Sequence, residues 1–169
     1  MQFPKEQRQL ILFFIKALLL YVIWYLVYEE WLYKVGWLDD LIIDNLVLLS
    51  EKSLTLLGYL VFVNHHDIGI DGSHGVFIGS PCNGVSLMAL FVGFIILFKG
   101  KWMHKLWFSL LGLFIIHLLN VLRIVSLVMV AKYTPTHLDF NHKYTFTVLL
   151  YAFIFLGWVI WVKKFSEKQ

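Results

Sequence analysis

The chain has 169 residues, 60% of them hydrophobic, 18% aromatic and 15% charged, with a net charge of +3. Soluble domains balance roughly 45–50% apolar against 25% charged, and disordered chains are more polar still, so both classes are excluded. A single cysteine, Cys82, excludes a disulfide scaffold, and the small, scattered positive charge leaves no nucleic-acid footprint.

These numbers describe a polytopic inner-membrane protein, one membrane-embedded domain over residues 1–169. A spanning helix takes about 20 mostly apolar residues. Leu10 to Tyr28 is the first such run, broken only by Lys16, whose stem snorkels to the inner face. Basic residues precede it, as in a signal peptide, but Tyr28-Glu29-Glu30-Trp31 offers no small-residue cleavage site, which predicts an uncleaved anchor. Residues 29–80 form an extracytoplasmic region. Within it, Leu38 to Val63 carries leucines and isoleucine mostly at helical spacing (Leu38, Leu41, Ile42, Leu46, Leu49, Leu56, Leu57, Leu60). Asp44, Glu51 and Lys52 interrupt that run, and a charge at mid-bilayer costs about 2.5–3.5 kcal/mol. An amphipathic helix lying on the outer leaflet is therefore expected. Ile68 to Ile78 has two β-prone runs around Asp71-Gly72-Ser73, the pattern of a short β-hairpin.

The second span is expected at 81–98, with Ser80 as N-cap and Pro81 at the first helical position. The third, 106–131, is longer than a bilayer needs and carries His117, Asn120 and Arg123; the fourth, 144–162, has no charge. Lys and Arg counting fixes the orientation. With the N-terminus inside, eight basic residues (Lys5, Arg8, Lys99, Lys101, Lys105, Lys163, Lys164, Lys168) face the cytoplasm and four (Lys34, Lys52, Lys132, Lys143) face outward. The predicted fold is an all-α integral membrane protein with four transmembrane helices, N-in and C-in, an outer-surface amphipathic helix and a short β-hairpin.

Cys82 would fall in the first turn of the second span, where free N–H groups and the helix dipole favour a thiolate; the alternative is a small apolar filler. Arg123 lies roughly 25 Å along the third span, just inside the outer edge of a core about 30 Å thick. Intramembrane arginine usually has a partner or a function, snorkelling to headgroups being the alternative. Asn120 shares its face at i−3 and braces it. His117 is deeper, where a neutral, hydrogen-bonded packing histidine is expected. His142 opens the fourth span and is a candidate general acid and base. His65, His66 and His74 with Asp67 and Asp71 match no zinc spacing, and neither metal nor cofactor is expected. Hydropathy and lysine counting alone thus bring a thiol, a guanidinium and an imidazole to one surface from three helices, the parts that acyl transfer needs.

Pro81-Cys82-Asn83-Gly84, Asn120-Val121-Leu122-Arg123 and His142 resemble the C-x-G, N-x-x-R and downstream His blocks of the exosortase/archaeosortase family, each at the outer edge of a span. The resemblance runs from Pro81 to Val162, and the short chain with its aromatic-rich anchor is similar to the exosortase F subgroup of Bacteroidetes. It implies a transpeptidase-like cysteine protease of the bacterial inner membrane with a periplasmic active site. Its partners would be exported proteins with a C-terminal tripartite sorting tail (motif, transmembrane helix, basic end), cleaved and passed to a surface acceptor. By position the resemblance makes Cys82 the nucleophile, Arg123 the oxyanion or thiolate stabiliser and His142 the acid/base, with Asn120 and Gly84 supporting. Many relatives have about twice as many spans, which leaves room here for a separate accessory membrane protein. Two alternatives stand beside this reading: a non-catalytic assembly factor binding a partner helix, and a haem- or ion-handling protein using His117 and His142.

Overall fold

The computed structural model describes residues 5–165; Lys168 of the charge count lies outside them, as do both ends of the single domain. Among the described residues, three helices are long and apolar enough to cross a membrane. The N-terminal helix, Lys5–Trp24, continues through a π-helical stretch, Tyr25–Leu32, and a last turn, Tyr33–Val35. The long helix is Trp102–Tyr133 and the C-terminal helix Phe146–Lys164. A shorter apolar helix, Val85–Leu97, packs among them.

The long helix organises the molecule. Its 32 residues rise about 48 Å, well beyond the roughly 30 Å of a hydrocarbon core. Two apolar cores divide its length. Around Ile116, Phe91 and Ile95 of the short helix meet Ile154 and Trp161 of the C-terminal helix. The Phe91 ring slots between two glycines: a Cβ on Gly112 would lie 1.9 Å from its Cε1, and one on Gly157 would lie 2.7 Å from its Cε2. Lys105 Nζ donates to the Ile96 carbonyl at 2.9 Å, tying the foot of the long helix to the end of the short one. Further along, Val121, Ile124, Val125 and Val128 are covered by a cap made of the helix Trp37–Leu56 and a three-stranded sheet. Asp39, Ile43, Leu46, Val47, Ser50 and Leu54 form the buried stripe of the cap helix, at 3.6-residue periodicity.

The sheet is antiparallel in the order β1 (Val61–Asn64), β2 (Asp67–Ile70), β3 (Val76–Phe77), with Val61 opposite Ile70 and Asp67 opposite Phe77. The expected hairpin is β2–β3. Strand β1 was hidden inside the expected helix 38–63, which in fact stops at Leu56 before Gly58 at φ +89°. Leu56, Leu57 and Leu60, counted as its apolar face, are 88%, 61% and 76% exposed. The buried stripe faces the long helix and the sheet and so packs on protein, while Trp37, Leu41 and Leu48 of the same helix remain exposed.

Other boundaries move as well. The first span does not end at Tyr28, because the π stretch carries the helix past Glu29 and Glu30 to Val35. The second span does not begin at Pro81. Ser80–Cys82 form a separate 3-10 turn with Gly79, not Ser80, as N-cap; Gly84 at φ +82° interrupts the chain, and the helix starts at Val85. At 13 residues it rises about 20 Å, so among the described residues three helices, not the expected four, have full spanning length.

Candidate active site

Cys82 lies in the 3-10 turn between the sheet and the short helix, half-buried, its backbone N–H bonded to the Gly79 carbonyl at 2.8 Å. It is therefore outside the first turn of the Val85–Leu97 helix, and the end of that helix is capped by its neighbour instead: Asn83 Oδ1 accepts the Val85 N–H at 2.9 Å. The thiol meets a base. Cys82 Sγ stands 3.2 Å from His142 Nε2, across 60 residues of sequence. His142 sits in the π-helical turn Asn141–Thr145 that precedes the C-terminal spanning helix, half-buried, its carbonyl 3.3 Å from Thr147 Oγ1.

Burial, and after it the charge of Arg123, pushes the His142 imidazole below its ordinary value; Asp139 pulls the other way and Lys143 adds to the depression. These influences together favour the neutral imidazole. Nε2 faces the thiol and can accept its proton in the tautomer that carries the ring proton on Nδ1.

Asn120, fully buried on the long helix, donates from Nδ2 to the Cys82 carbonyl at 2.7 Å. This contact explains Gly84. A Cβ there would lie 3.2 Å from Asn120 Nδ2, and the backbone needs the left-handed region that glycine adopts freely. Arg123 stands one turn further on the same helix face. Among the described residues no carboxylate lies within 4.0 Å of it, and its buried Nε has no partner. An unpaired guanidinium near a thiol–imidazole pair is free to meet negative charge arriving on a ligand.

The sequence reading did not single out Asp39, Tyr28 or Asn83. Asp39 is 2% exposed, and its Oδ1 accepts from Tyr28 Oη at 2.7 Å and from Asn83 Nδ2 at 2.5 Å. The signal available was Asp39 and Asp40 opening a helix, which reads as ordinary N-terminal acid enrichment. His117 lies apart, bonded through Nε2 to Asn45 Oδ1 of the cap helix at 2.8 Å and not to the Cys82 site. His66 reaches Asp44 at 3.4 Å, and among the described residues no three His, Cys, Asp or Glu side chains converge as a metal site.

Fold and site together define a helical membrane protein whose one cysteine faces a histidine between a membrane bundle and a cap. The chain matches, over residues 7–162, the family described as transmembrane exosortase (Exosortase_EpsH). It belongs to that family, whose members are membrane proteins involved in sorting. No curated protein and no solved structure matches it.

Proposed function

We propose that this protein is a cysteine transpeptidase or peptidase that cleaves C-terminal sorting tails of exported proteins and transfers them to a surface acceptor. The observation that carries this reading is the 3.2 Å approach of Cys82 Sγ to His142 Nε2, made by two segments far apart in the chain. The tail helix docks laterally against the bundle, with its scissile bond at the level of the 3-10 turn. His142 Nε2 takes the thiol proton as Sγ bonds to the scissile carbonyl carbon, and the oxyanion develops beside Arg123. The imidazolium then protonates the leaving amine as the C–N bond breaks, leaving a thioester on Cys82. An amine acceptor, or water, gives its proton to His142 and displaces the thiolate. The cap lies on the periplasmic side of the inner membrane in this reading, with the lysine-rich ends inside.

Co-expression with a tail-bearing exported protein, followed by mass spectrometry of the product, gives cut site and acceptor together. Cys82→Ala and Cys82→Ser are expected to accumulate in the membrane and leave the tail intact. Undiminished cleavage in both variants would refute the nucleophile and leave the non-catalytic assembly factor as the better reading.

A further inference from the structure

The peptide unit that carries the thiol is gripped from two sides. Asn120 Nδ2 holds the Cys82 carbonyl from the long helix. On the next residue, the Asn83 amide is locked in one orientation: its Oδ1 is committed to the Val85 N–H, so its Nδ2 must find an acceptor elsewhere. That acceptor is Asp39 Oδ1, which also takes the Tyr28 hydroxyl, while Asp39 Oδ2 is buried without a partner. Two donors on one oxygen and none on the other is a costly way to bury a carboxylate, because each unpaired buried group forfeits its hydration. Packing alone would be served better by an apolar side chain at position 39. What the carboxylate does supply is direction. It joins the π-helical stretch of the first helix, the start of the cap helix and the turn after Cys82, segments separated by 11 and 44 residues.

We propose that Asp39, with Tyr28 and Asn83, is a positioning latch that sets the Cys82–Asn83 peptide so that Sγ faces His142 Nε2. This rests on the reading of Cys82 and His142 as a reactive pair, and it adds three residues that touch neither substrate nor the reacting atoms. Displacing a reacting group by about 1 Å costs on the order of 100-fold in rate, so a small rotation of this peptide is enough to be measured.

Cys82 is the only thiol in the chain, so its alkylation by iodoacetamide reports its state with no background and with no sorting substrate present. The full-length protein is used, reconstituted in lipid nanodiscs at pH 7. Asn83→Asp sets two carboxylates against each other and is expected to lower the alkylation rate about tenfold, to the level of His142→Ala. The double variant Asp39→Asn with Asn83→Asp restores the pair with donor and acceptor exchanged. The amide then donates from the cap helix to a carboxylate in the turn, and that carboxylate still accepts the Val85 N–H. The exchange is expected to return the rate to within about threefold of wild type, a rescue that a merely structural defect would not show. Tyr28→Phe, which removes one donor and keeps the ring, is expected to slow alkylation about threefold. With tail-bearing substrate, Asn83→Asp should lower kcat at nearly constant KM. Equal alkylation rates for Asn83→Asp and wild type, or a double variant no faster than Asn83→Asp, would overturn the latch. Neither result touches tail cleavage, whose own test is Cys82→Ala.

Discussion

Replacing Gly84 by alanine tests the joint between the cysteine turn and the long helix, and its size follows from two separable costs. The first is conformational: a left-handed residue with a Cβ costs about 1–2 kcal/mol. Gly58 isolates that cost, because its φ is +89° and nothing lies within 4 Å of where a Cβ would be. Gly58→Ala is therefore expected to destabilise the protein by about 1 kcal/mol and to leave tail cleavage unchanged. Gly84→Ala carries the same strain and adds a contact at 3.2 Å with Asn120 Nδ2, tighter than ordinary packing. Asn120 is fully buried and cannot give way into solvent, so the bond to the Cys82 carbonyl lengthens or breaks. An unsatisfied buried donor or acceptor costs about 1–3 kcal/mol, which brings Gly84→Ala to roughly 2–5 kcal/mol in total. Because that bond also sets Cys82, cleavage is expected to fall by one to two orders of magnitude. Thermal melts in detergent give the stability difference between the two variants, and cleavage of a tail-bearing protein in proteoliposomes gives the rate. A Gly84→Ala protein that melts with Gly58→Ala and cleaves like wild type would refute the clamp between Asn120 and Cys82.

Three further outcomes are expected. Arg123→Lys should reduce cleavage at least tenfold, since a flexible ammonium does not reproduce a fixed planar fork; near-normal turnover would make Arg123 structural. In the proposed mechanism the neutral His142 imidazole is the base, and its folded-state value is depressed, so activity should be kept until pH falls through a midpoint below the usual 6.5. Asp139→Asn removes the one group that raises it and should move that acid limb lower still; a pH–rate profile with the limb shifted upward would contradict the assignment. Gly112→Ala drives a Cβ to 1.9 Å from the Phe91 ring, which is 1% exposed and backed by Gly157. It should lower membrane-extracted stability by about 1–3 kcal/mol or prevent accumulation, and a melting curve matching wild type would dismiss the wedge.

The membrane helices were legible because lipid demands long apolar runs, and those runs are visible in any window. Cap and turn were harder to read because their residues answer to protein neighbours. Leu56, Leu57 and Leu60 keep helical spacing in the sequence yet stand exposed, whereas Asp39 and Ser50 lie in the buried stripe. Hydrophobic counting weighs the first set and discards the second. Strand β1 escaped for a related reason: Phe62 pairs across to Gly69, and its ring fills the space over that glycine, a fit that only the register reveals. Ser80-Pro81 carries a genuine helix-start pattern, but the helix it starts is three residues long, because Gly84 breaks the chain immediately after it. Cys82, Asn120, Arg123 and His142 could be singled out because each is chemically conspicuous in an apolar setting. Tyr28, Asp39 and Asn83 could not, since their meaning lies in a contact among three distant segments.

The unusual length of the third apolar run explains where the site lies. A single helix carries two apolar cores: the part around Ile116 packs in the bundle, and the part around Val128 is the core of the cap. Between them runs a polar layer, Asn120 and Arg123 on the helix and Cys82, Asn83 and Asp39 packed nearby. Such groups are costly in lipid and ineffective if fully hydrated, and this layer is only partly paired: Asp39 Oδ2, Asn120 Oδ1 and Arg123 Nε are buried without hydrogen-bond partners. In the proposed reaction an acceptor must also reach the thioester, and an amine or water would arrive from the aqueous side. A substrate anchored by a membrane helix, in turn, presents its scissile bond at a fixed height. In the proposed reaction, building bundle and cap on the same helix would hold nucleophile and substrate bond at that height without depending on the bilayer for register.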